Sequence, residues 1–139
     1  MTRSITVNCS TYNLKEIRSF ISLSLDQLDI NSSDSNLIIL AVDEVCSNRI
    51  IHSNNCDSRE NLTVDISLAR DENGICFEIK DSGVPFNIND YQEPLLDDLV
   101  KNKTKGSLGL ILVRKIMDRI DFEVKNSINI CRLFKRVAL

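Results

Sequence analysis

The chain has 139 residues, of which 42% are hydrophobic and 27% charged, and this composition suits a single globular domain that needs no disulfide framework or structural metal. Its 17 basic and 20 acidic residues give a formal net charge of -3, which argues against a general nucleic-acid binder. No apolar run approaches the roughly 20 residues of a membrane helix, and the first residues contain no apolar signal core, so we expect a cytoplasmic protein that binds neither membrane nor nucleic acid.

The N-terminal part of the chain predicts one strand followed by two helices. Ile5, Val7 and Cys9 alternate with polar residues, as in a half-buried strand. Apolar residues then recur every three or four positions from Leu14 to Leu28, which predicts an amphipathic helix. After a polar loop and capping signal at 31–34, a second helix is predicted from about Ser35 to Ser53. Apolar residues cover most of its circumference, so we expect it to be sandwiched between other elements.

The C-terminal part predicts a hairpin, a long connection, a third helix and two final strands. Residues 62–68 and 75–79 alternate strictly on either side of a turn at 71–74, which predicts an antiparallel hairpin. The polar stretch that follows predicts a long connection, and Gly106 to Ile120 predicts a helix. Phe122 begins a strand, and residues 128–137 return as the last one. Four cysteines of the chain fall in predicted strands or helices and are expected to be small buried apolar residues of a reducing compartment: Cys9, Cys46, Cys76 and Cys131.

A polar stripe interrupts the most apolar helix. Glu44, Asn48 and His52 are four residues apart and therefore lie on one helix face. The stripe is either a solvated face or a face turned toward a ligand, and for any one residue alone the solvated face is the simpler interpretation. As ligand groups, Asn48 suits Mg²⁺ and Glu44 suits the orientation or deprotonation of an attacking hydroxyl. His52 is interpreted as a packing residue.

Two glycine-containing stretches complete the set of candidate features. The Asp81-Ser82-Gly83 stretch directly follows a predicted strand and is either a plain turn or a site at which a carboxylate accepts a hydrogen bond from an amino group such as that of adenine. Lys105-Gly106-Ser107-Leu108-Gly109 opens the third helix, where free amide groups and the helix dipole suit a phosphate. Neither stretch matches a P-loop or a Rossmann fingerprint, so phosphate binding here would require a different fold.

In this order, the motifs resemble the ATPase domain shared by gyrase, Hsp90, histidine kinases and MutL. Within that superfamily the chain is most similar to the short, free-standing anti-sigma-factor serine/threonine kinases of the GHKL or HATPase_c class, whose domain is the Bergerat fold. The resemblance rests on three stretches, which look like the N box and the two glycine boxes: Ala41–His52, Asp81–Phe86 and Gly106–Asp118. It covers nearly the whole chain and implies one α+β domain over residues 1–139. That domain would be a two-layer sandwich with a mixed, mainly antiparallel sheet covered on one face by helices.

The resemblance also assigns roles to individual residues. It implies that Asn48 is the Mg²⁺ ligand and binds ATP, that Glu44 is the catalytic base, and that Asp81 and Gly83 contact adenine. Residues 87–105 would form a lid over the nucleotide. The remaining implied ATP-binding residues surround the phosphates: Lys105, Gly106, Ser107, Leu108 and Gly109.

The implied function is that of an ATP- and Mg²⁺-dependent serine protein kinase and anti-sigma factor in bacterial partner switching. Its partners would be a STAS-type anti-anti-sigma protein, which it phosphorylates, and a sigma factor, and it would form a homodimer. Arg18 falls where such proteins meet their partners, although a solvated surface arginine is the simpler interpretation. Two departures favour an alternative, a weakly catalytic or non-catalytic module that sequesters a partner. Ser107 replaces a usual glycine, and the last strand lacks a Gly-Thr pair.

Overall fold

A computed structural model describes residues 2–50, 62–85 and 105–137, with no account of the side chains of 105–108. Three helices and five strands follow one another along the described chain, with a short 3₁₀ turn before the first helix. The helices are α1 (Leu14–Gln27), α2 (Ser32–Asn48) and α3 (Lys105–Ile116). The strands are β1 (Thr2–Asn8), β2 (Thr63–Arg70), β3 (Ile75–Asp81), β4 (Arg119–Lys125) and β5 (Ile128–Lys135).

The five strands form one sheet in the order β1-β2-β3-β5-β4, and every pairing among the described strands is antiparallel. Alternation in the sequence separates the two faces, because successive side chains point to opposite sides of a strand. On one face, Val64, Ile66, Phe77 and Ile79 are buried and join the helices in a single core. The predicted α+β sandwich, with helices on one face of a mainly antiparallel sheet, is therefore confirmed.

The opposite face of the sheet is polar and carries a line of charges. Glu78 lies opposite Arg132 in the register of β3 and β5, and its Oε2 accepts a hydrogen bond from Arg132 Nε at 3.0 Å. Lys80 Nζ lies 2.9 Å from the other carboxylate oxygen of Glu78. Hydrogen bonding by Lys80 is the main cause that lowers the pKa of Glu78, which keeps the carboxylate charged. This face therefore needs no covering layer.

Helix α2 begins earlier than predicted, at Ser32 rather than about Ser35. Asn31 is its N-cap residue, and its side-chain Oδ1 accepts a hydrogen bond from Asp34 N at 2.8 Å. This contact satisfies one of the amide groups left free at a helix start. At its other end α2 widens into a π turn at Arg49 and Ile50, a local feature often associated with functional sites. The predicted continuation to Ser53 lies outside the described residues.

Helix α3 ends at Ile116, so its predicted extension to Ile120 is wrong. Asp118 N donates to Phe134 O at 2.8 Å, which draws the chain into the sheet instead of another helical turn. Asp118 Oδ2 also accepts a hydrogen bond from Arg136 N at 2.7 Å. Ile120 lies in β4 and packs against the core from there. Ile116 and Ile120 are therefore four residues apart without sharing a helix: Ile116 packs into the core from α3, and Ile120 packs against it from β4.

The cysteines only partly fit the expectation of reduced, buried apolar residues. Cys46 and Cys131 are free and buried, and Cys76 is free and half-buried. Burial is the main cause that raises the pKa of the Cys131 thiol to about 12. Cys9, in contrast, is disulfide-bonded, so the expectation is wrong for this residue.

The hairpin between β4 and β5 turns at Asn126 and Ser127, whose φ angles are both positive, at 53° and 65°. A left-handed conformation costs a residue other than glycine roughly 1–2 kcal/mol. We therefore expect Ser127→Gly to raise the free energy of unfolding by about 0.5–1 kcal/mol in urea titrations. Ser67→Gly, within β2, is the control and should lower it by a similar amount, because glycine weakens a strand interior. A destabilised Ser127→Gly variant would contradict this account.

Candidate functional site

The first and second predicted motif stretches meet through a buried ion pair. Arg49, which follows Asn48, donates from Nε to Asp81 Oδ2 at 2.6 Å and from Nη2 to Asp81 Oδ1 at 2.5 Å. The side chains of Arg49 and Asp81 are 5% and 2% exposed. This two-bond arrangement joins the end of α2 to the end of β3 in a setting that excludes water. Sequence reasoning missed Arg49, although a charged residue beside Ile50 at the end of an apolar helix was a usable signal.

Asn129 of β5 completes the cluster around Asp81. It lies opposite Asp81 in the register of β3 and β5, and its Nδ2 donates to Asp81 Oδ1 at 3.1 Å and to Gly83 O at 2.7 Å. Gly83 N also donates to Asp81 Oδ1, at 2.8 Å. The carboxamide oxygen of Asn129 is buried and has no hydrogen-bond partner among the described residues. A buried acceptor without a donor is uncommon, and it fits a ligand that brings an N–H group.

Glu44 lies where α2 packs on α3, which brings the third motif stretch to the same helix. Gly109 is in direct contact with its side chain: a Cβ placed on Gly109 would lie 2.5 Å from Glu44 Cδ. Only a residue without a side chain leaves room for the carboxylate in this position. The helix that carries Glu44 and Asn48 therefore contacts both glycine-containing stretches.

The surroundings of Glu44 raise the pKa of its carboxyl group. Burial is the larger cause that raises its pKa, and the negative charge of Asp43 raises it further. Both effects disfavour the charged form and make the carboxylate a better proton acceptor once it is ionised. A carboxyl group with a raised pKa is suited to take up a proton nearer to neutral pH.

The other predicted site residues are only partly described. Asn48 ends α2 and is half-buried, and its carboxamide makes no hydrogen bond among the described residues, so it has donor and acceptor groups to offer a ligand. The backbone of Lys105, Gly106, Ser107 and Leu108 forms the first turn of α3, so these residues lie inside the helix rather than ahead of it. Their side chains, His52 and nearly all of the predicted lid at 87–105 lie outside the described residues.

Arg18 of α1 is exposed and forms an ion pair with α2. Its Nε donates to Asp43 Oδ1 at 2.6 Å, and its side chain remains 51% exposed. Asp43 directly precedes Glu44 in the sequence, so this ion pair joins Arg18 to the residue next to the predicted base. A shallow groove beside it is lined by Arg18, Ser19, Ser22, Leu23, Asp26 and Ile39.

A family model and several known proteins match most of the chain. Residues 8–135 match the family model described as a histidine kinase-like ATPase domain. The chain is 28% identical over 102 residues to an anti-sigma F factor of Clostridium perfringens, covering 73% of this chain and 71% of that one. It is 25% identical over 118 residues to the serine-protein kinase RsbW of Bacillus licheniformis, covering 82% and 72% of the two chains.

Two solved structures share the fold. The RsbU and RsbW domains of Rv1364c from Mycobacterium tuberculosis superpose with a TM-score of 0.66 at 17% identity, over 99% of this chain and 32% of that chain. The SiaB-SiaC complex from Pseudomonas aeruginosa superposes with a TM-score of 0.60 at 14% identity, over 98% and 89%. In the described part of the chain, the helices are too short or too polar to cross a membrane, and no group of histidine, cysteine and acidic side chains is arranged to hold a metal.

Proposed function

Because the chain belongs to the histidine kinase-like ATPase domain family, we propose that it is an ATP-dependent serine protein kinase and anti-sigma factor of a bacterial partner-switching system. The observation that carries the proposal is the convergence on α2: Glu44 packs on Gly109, and Arg49, next to Asn48, contacts Asp81. Its substrate is a serine on a STAS-type antagonist, and its second partner is a sigma factor. The names of the relatives support both activities.

The residues of the site fit a nucleotide with Mg²⁺. The orphan acceptor of Asn129 suits a base that carries an amino group, and Asn48 offers a carboxamide oxygen of the kind that Mg²⁺ binds. The first turn of α3 has the amide groups of a helix start, which bind phosphate. When bound, Mg-ATP supplies the phosphoryl group and the metal charge that favours its transfer. Glu44 would orient the serine hydroxyl and take its proton.

The test is incubation of the full chain with Mg-ATP and a purified STAS-type antagonist, followed by mass spectrometry of the antagonist. We expect stoichiometric phosphoserine with Mg²⁺ and none with EDTA. Calorimetry with Mg-ATP should show one binding site per chain. ATP binding without phosphoserine at saturating nucleotide would contradict the kinase activity, and absence of both would contradict the whole proposal.

A specific observation favours the second candidate, a weakly catalytic or non-catalytic module that sequesters its partner. Arg49 already holds the carboxylate expected to read adenine, and an occupied base subsite would weaken ATP binding. The two functions separate in a partner-capture assay. A sequestering module would hold the sigma factor equally well with ATP, with ADP or with no nucleotide, whereas a partner-switching kinase would respond to the nucleotide.

We propose that Arg18 contacts a protein partner. Because Arg18 is paired with Asp43, its control should be another exposed arginine that is paired with an aspartate. We expect Arg18→Ala to weaken binding of the sigma factor or the antagonist about tenfold, as arginines at interface centres commonly do. Arg119→Ala is the matched control, because Arg119 is also exposed and paired with an aspartate, Asp121, at 2.9 Å. Titration calorimetry or biolayer interferometry gives both affinities. Equal losses in the two variants would remove Arg18 from the interface.

The pH dependence of phosphoryl transfer should report the raised pKa of Glu44. The base works as the carboxylate, so the rate should rise as the pH rises through this pKa, which lies above the ordinary value of 4.5. Asp43→Asn removes one of the two causes of the shift, so the acid limb of the rate profile should move to lower pH. Asp26→Asn, on the exposed side of α1, is the control. An acid limb that does not move would exclude Glu44 as the titrating base.

A further inference from the structure

The solvent-facing side of α2 carries leucines next to the predicted base. Leu37 and Leu40 are 41% and 42% exposed. Leu37, Leu40 and Glu44 follow one another at spacings of three and four residues, which places their side chains on one face of the helix. The helix buries a different face in the core, through Val42 and Val45. A helix face that is turned to water normally carries polar residues, so two exposed leucines beside a carboxylate are unusual.

A third exposed leucine lies on the neighbouring helix. Leu112 of α3 is 41% exposed and follows Gly109, the residue that contacts the Glu44 side chain, by one helical turn. Leu40 precedes Glu44 by one turn on α2. At a rise of about 1.5 Å per residue, Leu40 and Leu112 lie roughly 4–6 Å along their helices from the contact between Glu44 and Gly109. Single exposed leucines are ordinary, but several around one polar group indicate an interaction site.

We propose that Leu37, Leu40 and Leu112, together named the leucine patch, bind an apolar residue of the protein substrate close to its acceptor serine. The inference rests on the proposed kinase function and on the proposed role of Glu44. A base must come within about 3 Å of the hydroxyl that it deprotonates, so the serine has to lie beside Glu44. Each residue of an extended chain spans about 3.3 Å, so residues up to three positions from the serine can reach the patch.

The position and the charges of the patch favour this occupant. The surface beside Glu44 has to receive a serine in every turnover, and a second copy of the chain seated there would block it. Lys115 of α3 is exposed and lies one turn beyond Leu112, on the same side of the helix. A positive charge at the border of an apolar surface favours a segment in which an acidic residue lies beyond the apolar one. The segment that fits therefore combines a serine, an apolar residue and a carboxylate.

The experiment measures kcat and KM of the full-length chain for the STAS-type antagonist at saturating Mg-ATP. Leu40→Gln and Leu112→Gln make the patch polar, and glutamine is a good helix former, so the fold should be kept. We expect KM to rise about tenfold in each variant, as when an interface loses an apolar anchor, with kcat and the Kd of Mg-ATP nearly unchanged. Leu40→Met keeps an apolar side chain and should keep the wild-type KM. Val124→Thr is the control, because Val124 of β4 is 50% exposed and lies outside the proposed site.

A complementary change in the substrate provides a second test that does not depend on the folding of the kinase variants. Apolar residues of the antagonist within three positions of the phosphorylated serine are replaced one at a time by glutamine. One of these changes should raise the KM of the wild-type kinase about tenfold and add little to the KM of Leu40→Gln, because the two changes remove the same contact. Lys115→Gln should raise KM about threefold at low salt and much less at high salt, because salt screens an exposed charge.

Three results would overturn the assignment of the leucine patch. The first is a wild-type KM in both Leu40→Gln and Leu112→Gln, and the second is strictly additive effects of the kinase and substrate changes. The third is a wild-type dimer that Leu40→Gln dissociates in analytical ultracentrifugation while KM is unchanged, which would make the patch an interface between two copies of the chain. Failure of the wild type to phosphorylate the antagonist would instead overturn the proposed function, and the inference with it.

Discussion

Glu44→Gln should reduce phosphoryl transfer to the antagonist by about 10²–10⁴-fold, the usual contribution of a positioned general base. Glutamine keeps the shape and the contact with Gly109 but cannot take a proton from the serine hydroxyl. The Kd for Mg-ATP should change little, because the lost interaction is made in the transition state. Single-turnover phosphorylation with radiolabelled ATP and calorimetry on the same preparation measure the two quantities.

Gly109→Ala tests the position of the Glu44 carboxylate without changing Glu44 itself. An added Cβ would overlap the Glu44 side chain, whose outer atoms are free to swing away, so the carboxylate should move while the fold remains intact. Alanine is also a better helix former than glycine, which limits any loss of stability. We expect transfer to fall with little change in the melting temperature. Full activity in both Glu44→Gln and Gly109→Ala would leave the chain without its proposed base and would favour the sequestering function.

Asp81→Ala should lower the free energy of unfolding by about 3–5 kcal/mol, because it leaves the Arg49 guanidinium buried without its partner. The double variant Arg49→Met, Asp81→Leu should recover most of this loss, since neither charge then remains to be buried. Urea denaturation followed by circular dichroism measures all three proteins. The control is Arg18→Met, which breaks an exposed ion pair and should cost less than about 1 kcal/mol.

The outcome that contradicts this account is a double variant as unstable as Asp81→Ala. The stability loss would then arise from packing rather than from an unpaired charge. The double variant also tests whether the ion pair is needed for nucleotide binding as well as for stability. A stable double variant that binds ATP normally would show that the ion pair is dispensable for nucleotide binding.

Strand alternation and helical spacing were sufficient to predict most of the fold. Leu62, Val64, Ile66 and Leu68 alternate because one face of the sheet is buried, and the structure places β2 over this stretch. Spacing failed at Ile120, where an apolar residue one turn beyond Ile116 belongs to the next strand. The hydrogen bond from Asp118 N to Phe134 O decides this boundary, and it joins residues too far apart for local sequence patterns to detect.

The candidate site was predicted less completely than the fold. The family motifs in the sequence identified Glu44, Asn48 and Asp81, but the partner of Asp81 was not foreseen. In the sequence, Arg49 stands within the first motif stretch and Asn129 in the last strand, and neither position indicates a contact with Asp81. The contacts of both residues depend on cross-strand register and on the π turn at the end of α2, which are properties of the folded chain. Side-chain chemistry alone could not predict them.

Helix α2 and its C-cap residue carry three side chains that contact different neighbouring elements, and this limits which substitutions the protein can accept. Asp43 faces α1, Glu44 faces α3 and Arg49 reaches β3, so one rigid rod touches three neighbours at once. Any change that tilts or rotates the rod displaces all three contacts together. If these residues have the proposed roles, partner binding, phosphoryl transfer and nucleotide binding can be adjusted separately only by substitutions that leave the position of the helix unchanged, and a variant that repacks the helix would change all three together.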